Sequence, residues 1–157
     1  MPSRRSEITM SDAELQRFFD EERVLTCAST GSTGRPHLMP LWYVRDGLTL
    51  LTWTFGKSQK VKNLERDPRA TIQIEAGRDQ YQQLRGAMLE CGAAIERDPQ
   101  QIADVGLRLM RRYAGAGADA SPEARERVLQ QAKKRVVLRF TPTRIVSWDH
   151  RKLGGAY

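Results

Sequence analysis

The sequence predicts a mainly β fold with added helices (α+β): a small antiparallel barrel of six or seven strands with four helices around it. Three observations carry this. Runs rich in β-branched and aromatic residues follow one another too closely for helical crossovers between parallel strands. Asp-Gly and Gly-rich turns separate them. Gly86 and Gly92 interrupt the longest run, which is where a barrel strand would bulge or bend.

The elements follow in order. Ser11-Asp12-Ala13-Glu14 is a capping-box sequence ahead of Leu15, Phe18 and Phe19 at helical spacing, so a helix is expected over 11–22. Residues 24–30 (VLTCAST) read as a strand, GSTGRP as a turn, and 37–44 (HLMPLWYV) as a second strand. Asp46-Gly47 turns the chain into a third, 48–55 (LTLLTWTF), completing a meander. From Ser58 the period changes to helical: Val61 and Leu64 share an apolar face, Lys62 and Arg66 lie toward solvent, and Asp67-Pro68 ends the helix. Residues 69–75 alternate as a strand, and 81–96 form a long one. Asp98-Pro99 opens a helix through Ile102, Val105, Leu109 and Tyr113. AGAGADAS is a flexible link, and Ser121-Pro122 opens another helix with Val128, Leu129 and Ala132 on its apolar side. Residues 135–141 and 144–148 are two closing strands, leaving DHRKLGGAY as a tail.

At 157 residues, 39% hydrophobic and 29% charged, the chain reads as one domain over 1–157, with 97–134 a helical insertion within it. No apolar run is long enough to span a bilayer, and the N-terminus has basic residues without an apolar segment behind them, so a cytoplasmic location is expected. Cys27 and Cys91 fall in apolar strand runs and read as buried thiols. Lysines and arginines outnumber acids by 26 − 19 = 7, which favours an anionic partner without choosing among nucleic acid, membrane and a phosphorylated small molecule.

The richest candidate site is TFGKSQKVKNLERDPRATI, residues 54–72, where a strand gives way to a helix at Ser58 with Lys57 and Lys60 beside its start. A helix N-terminus offers free N–H groups and a positive dipole end, and lysines add charge, so this stretch can seat a phosphate. The same residues also describe a solvated connection. Pro40 removes a ladder donor from its strand, which confines it to an edge, a bulge or a place open to a ligand. Trp42, Tyr43 and Trp53 lie near it and can wall a planar ring or serve as ordinary core. His37 and His150 are the only histidines, and no nucleophile elbow, metalloprotease, zinc, dinucleotide or Walker motif is present, so no metal site is expected. Hydrolase and metalloenzyme chemistry has no support, and an enzyme built on this chain needs a cofactor to supply the reaction.

The order of elements and the stretch GRPHLMPLWYVRDGLTLLTWTFGKSQKVKNLERDPRATIQIE, residues 34–75, resemble the flavin and deazaflavin oxidoreductases of the split β-barrel fold, the superfamily of pyridoxamine 5′-phosphate oxidase. The resemblance extends through Leu84-Arg85-Gly86-Ala87 to RIVSWDHRKL and covers most of residues 11–153. It implies a six- to seven-stranded antiparallel split β-barrel of Greek-key type with peripheral helices. It further implies a homodimer with a cofactor at the subunit interface, the ring against Met39, Pro40, Leu41 and Trp42, and the phosphate met by Thr54, Lys57, Ser58 and Lys60. Where the vitamin B6 oxidases carry Ser-Arg-Lys, this chain has Ser58-Gln59-Lys60, which puts pyridoxamine phosphate oxidation in doubt. The KxxNLxxDPR helix and the SWDHRKL ending resemble the branch that uses the deazaflavin coenzyme F-420.

The expected function is therefore hydride transfer from reduced F-420 to a planar, electron-poor small molecule, with Trp53 and Trp148 bordering the substrate pocket. The catalytic proton donor stays unassigned, Tyr43, His37 and solvent all being candidates. FMN is the alternative cofactor, in an oxidase or reductase of the same fold. A third reading is a non-catalytic module holding a cofactor, haem or nucleic acid. For nucleic acid, Arg108, Arg111, Arg112, Arg125, Arg127, Lys133, Lys134 and Arg135 also fit solvated helix faces.

Overall fold

A computed structural model describes residues 4–154. Helix α1 (Asp12–Glu21) begins at Ser11, whose hydroxyl accepts from the Glu14 N–H while the Glu14 carboxylate accepts from the Ser11 N–H at 2.7 Å. Leu15, Phe18 and Phe19 are buried, as their spacing requires. The strands are β1 (Leu25–Thr30), β2 (Pro36–Leu41), β3 (Tyr43–Asp46), β4 (Thr49–Phe55), β5 (Arg69–Ala76), β6 (Arg85–Glu96) and β7 (Arg135–Asp149). Helix α2 (Gln59–Arg66) joins β4 to β5, and α3 (Pro99–Ala114) and α4 (Pro122–Ala132) stand between β6 and β7.

All seven strands form one antiparallel sheet in the order β2-β1-β5-β6-β7-β4-β3. Its two edge strands, β2 and β3, are consecutive in the chain with Trp42 alone between them. A flat sheet would hold those edges many strands apart, so the sheet must curl until they approach, making a barrel split along the β2–β3 seam. Residues 37–44, expected as one strand of a meander, are thus two strands on opposite edges. Residue periodicity reports the extended backbone but not which neighbour each half takes.

The inward side chains of the strands pack with α1 and α2 into the main core, in which Phe18, Phe19, Leu25, Leu50, Ile72, Leu89, Leu138 and Phe140 are almost wholly buried. A second cluster covers the outside of β3, β4 and β7, where Val44, Leu51 and Val137 meet Ile102, Val105, Leu109 and Ala132 of the two long helices. Arg112 near the end of α3 locks the helices to the barrel. Its guanidinium donates to the Phe19 and Glu22 carbonyls at the C-terminus of α1, at 2.6 and 2.7 Å, and lies 4.5 Å from the Tyr43 ring centroid.

Several local expectations change in the fold. Residues 135–141 and 144–148 belong to one strand, β7, whose ladder with β6 slips where Glu90 faces Arg144 and Cys91 faces Pro142. Pro142 has no N–H to give, Thr143 is the extra residue, and its hydroxyl donates to the Glu90 carbonyl at 3.0 Å. The bulge lies here and not at Gly86 or Gly92, which both keep their register. Gly86 is instead required by close approach: a Cβ on it would come within 2.4 Å of the Trp148 indole and 2.9 Å of the Ile74 carbonyl oxygen. The long strand starts at Arg85, a 3-10 turn occupying Tyr81–Gln83. The link after α3 is tied down, because Asp119 is buried and pairs with Arg111 at 2.7 Å and Arg125 at 3.5 Å. Leu129 faces solvent, and Ala124, Val128 and Ala132 form the buried side of α4. Cys27 and Cys91 are buried free thiols, as expected.

The segment read as a tail folds back as a 3-10 turn, His150–Leu153, and Lys152 Nζ donates to the Thr9 carbonyl at 2.7 Å and pairs with Glu14 at 2.9 Å. The Lys152 bond and the Ser11 N–H hold the Glu14 carboxyl down to about 2 from its ordinary 4.5. A folded pKa below the unfolded one means that the unfolded chain binds more protons between the two. The latch therefore stabilises fully above about 4.5 and is lost as pH falls through about 2. Glu14→Gln is expected to cost about 1 kcal/mol at neutral pH, the pair being partly solvated, and to flatten the stability profile in that acid window. Thermal unfolding followed against pH measures both.

Candidate functional site

The seat proposed for phosphate is built where β4 hands over to α2. After Phe55 the chain makes a tight turn closed by the Ser58 N–H on the Phe55 carbonyl at 3.0 Å, and α2 begins at Gln59. Ser58 stands at the N-cap with extended backbone, yet its hydroxyl makes no capping bond and is buried without a partner. Lys60 is turned inward. Its side chain is buried, and Nζ donates to the Thr54 hydroxyl at 3.0 Å. No carboxylate pairs with it among the described residues, and burial lowers its pKa. Burial pushes the Cys27 thiol up to about 11, so that thiol is neutral at pH 7 and supplies no counter-charge. The structure thus holds a buried ammonium with one neutral acceptor, two residues after a serine whose hydroxyl is unsatisfied at the helix start. An ammonium has three protons to donate, so this arrangement fits an anion. Lys57 is exposed at the rim.

Around this seat the barrel interior is polar. Asn63, fully buried on α2, donates to the Ser29 hydroxyl at 3.1 Å and accepts from Gln59. Thr52, two residues before Thr54 and on the same face of β4, is buried with its hydroxyl unpartnered. His37 lies opposite Ser29, Met39 opposite Cys27 and Leu41 opposite Leu25, so all three of these β2 residues share the inward face. His37 is half-buried and its Nδ1 has no partner. Ser29, Thr52 and Asn63 were not singled out in the sequence, although polar residues at inward strand positions are the signal that marks them.

Pro40 sits on an edge strand, as its missing donor demands. Strand β2 is exposed on most of its length, with Leu38 60%, Met39 39% and Trp42, just beyond it, 59% accessible. Its free edge carries backbone groups and apolar side chains that none of the described residues covers.

On the outer side of β4 a separate feature appears, a cavity of about 400 Å³ between the sheet and the two long helices. Trp42 stacks on Tyr113 with centroids 4.4 Å apart and planes within 8°. Trp53 fits under α3 because Gly106 has no Cβ, which would lie 2.8 Å from the indole. The Trp53 Nε1 is buried without a partner. Arg135 lies between two rings, 4.7 Å from the Trp53 centroid and 4.4 Å from that of Phe55, and burial lowers its pKa.

Two expected site residues fall elsewhere. Trp148 lies over Gly86, eleven residues along β7 from Val137, the partner of Trp53, and takes no part in the cavity. Tyr43 is fully buried. Its hydroxyl is within bonding distance of the Phe19 and Glu22 carbonyls at 2.7 and 2.9 Å, and burial raises its pKa, so it braces α1 and is no proton donor to a ligand. Sequence spacing shows that these side chains are aromatic, not which side of the sheet they take. Among the described residues no cluster of three metal-ligating side chains occurs.

The family model for pyridoxamine 5′-phosphate oxidase matches residues 11–149, from the Ser11 cap through all seven strands. Among solved structures, the conserved hypothetical protein Rv2991 of Mycobacterium tuberculosis is 39% identical, with TM-score 0.90 over 99% of this chain and 94% of the other. An F-420 reductase is similar at 20% identity and TM-score 0.62, covering 83% of this chain and 94% of its own. The haem storage protein HutZ of Vibrio cholerae is similar at 18% identity and TM-score 0.66, covering 86% and 93%. These last two share the fold. No curated protein matches the sequence. The split seven-stranded barrel and the match over nearly the whole chain lead to one conclusion: this protein belongs to the pyridoxamine 5′-phosphate oxidase family.

Proposed function

We propose that the protein is an F-420-dependent oxidoreductase of this family, acting as a single-domain chain in a cytoplasmic homodimer. The observation that carries the reading is the buried Lys60 ammonium, bonded among the described residues to Thr54 alone, two residues after Ser58 with its unpartnered hydroxyl. Thr54, Ser58 and Lys60 would hold the phosphoryl group, with Lys57 adding charge at the rim. One buried cation balances the single charge of a phosphodiester such as that of F-420 better than the near-dianion of the FMN monoester at pH 7. Met39, Pro40, Leu41 and Trp42 would lie along the ring, the free edge of β2 offering backbone groups. A second copy would cover the exposed apolar side chains of β2 and exclude water. Reduced F-420, when bound, supplies the hydride for a planar, electron-poor substrate. The protein's part is to bind, orient and desolvate. His37, inward on β2 with a free Nδ1, is the remaining side-chain candidate for holding a proton. Nucleic acid is not favoured as a partner, because Arg108, Arg111, Arg112 and Arg125 are engaged within the chain.

Titrating one preparation with F-420 and with FMN tests the reading. F-420 is expected to bind at least about tenfold more tightly. An anion in the seat raises the pKa of Lys60, so affinity stays flat at low pH and falls once pH passes the ammonium's lowered free-state value, earlier than for an ordinary lysine. Tighter binding of FMN sinks the deazaflavin assignment. Binding of haem with neither ring compound would favour a storage module.

A further inference from the structure

The seat on α2 faces the barrel interior and leaves the outer cavity without a role. Its walls are aromatic: Trp42 stacked on Tyr113 at one side, and Trp53 beneath Gly106. The charged and polar side chains on its lining are Arg127, Gln131 and Arg135, with no aspartate or glutamate among them. The guanidinium of Arg135 makes no hydrogen bond or ion pair with another side chain among the described residues, and its Nε is buried and unpartnered. Trp53 Nε1 is a second buried donor without an acceptor. Two orphaned donors and an uncompensated cation, set among stacked rings, describe the complement of a flat apolar body carrying a carboxylate. A volume of about 400 Å³ admits a two- or three-ring molecule.

We propose that this cavity binds a planar aromatic carboxylic acid, with the ring system between Trp42 and Trp53 and the carboxylate on the Arg135 guanidinium and the Trp53 indole N–H. It names the substrate class and rests on the preceding reading only for calling that ligand the substrate; the binding itself needs no cofactor. Guanidinium offers a planar fork that matches a carboxylate, and the two rings around Arg135 fix that fork while withholding water from it. Arg127 at the rim adds charge that draws the acid in.

The test is calorimetric titration of the full chain, without cofactor, with 2-naphthoate and with its neutral isostere 2-naphthamide. Naphthoate is expected to bind at least about tenfold more tightly than the amide. Arg135→Met keeps the stem between the rings and is expected to remove that preference, weakening the acid by about tenfold and the amide by less than about twofold. Lys60→Gln is expected to leave naphthoate binding unchanged. Equal affinities for acid and amide in the natural chain, no binding of either, or loss of the acid in Lys60→Gln alone would each overturn the proposal, and the acid–amide comparison needs no variant to fold. F-420 titrated into the same samples separates the two ideas: F-420 binding without naphthoate discards the cavity ligand alone, and naphthoate binding without F-420 discards the deazaflavin alone.

Discussion

Lys60→Met is expected to weaken cofactor binding about ten- to a hundredfold, or about 1–3 kcal/mol, while leaving the ligand-free protein as stable as before or more so. The two effects have one cause. The ammonium is buried, has Thr54 as its acceptor and no carboxylate among the described residues, and sits near a thiol that is neutral at pH 7. Holding that charge in the folded chain costs free energy that an anion would return on binding. Methionine matches the stem in length and carries no charge, so it relieves the cost and removes the attraction together. Fluorescence titration with F-420 reads the affinity, and a melting curve without ligand reads the stability. An unchanged dissociation constant removes Lys60 from the seat. A fall of several degrees in the melting temperature would show that the ammonium supports the fold and is not kept for a ligand.

Phe140→Ala is expected to have the largest effect on stability, about 3–5 kcal/mol. Phe140 is fully buried at the centre of β7, opposite Leu50 on β4 and Ala93 on β6, so its ring fills the core where the two halves of the sheet are joined. Domains of this size lose roughly 2–4 °C of melting temperature per kcal/mol, which predicts a drop of at least about 6 °C. Leu129→Ala, at an exposed position on α4, is expected to stay within about 0.5 kcal/mol. Urea unfolding of both variants provides the comparison. Similar losses for the two would mean that α4 buries Leu129 against something beyond this chain.

Much of the fold was legible because its signals are local. The capping box at Ser11 and Glu14, the helix periods around Val61 and Val105, and the turn at Asp46-Gly47 each declare themselves within a few residues. The residues proposed to hold a phosphate could be picked out for the same reason: Thr54, Lys57, Ser58 and Lys60 lie within seven consecutive positions. The errors fall where a residue's surroundings come from far along the chain. HLMPLWYV is extended throughout, but its break at Trp42 depends on two sheet edges meeting. Trp53 and Trp148 are both aromatic residues on strands, and the register of β7 alone separates them. Tyr43 is hidden by α1 and α3, and neither helix is near it in sequence.

The sequence by itself determined the class of fold, the order of its elements and the residue types that can receive an anion, because propensity, capping and strand alternation are properties of neighbours in the chain. The tertiary structure alone decided that, among the described residues, Lys60 is buried without a counter-ion and β2 is left as an uncovered edge, and that Arg135 lies between two aromatic rings beside a cavity. The reason is physical. Burial and charge pairing depend on which surfaces meet when the sheet closes, and that closure is fixed by hydrogen-bond register between strands as distant as β4 and β7, where no local spacing can express it.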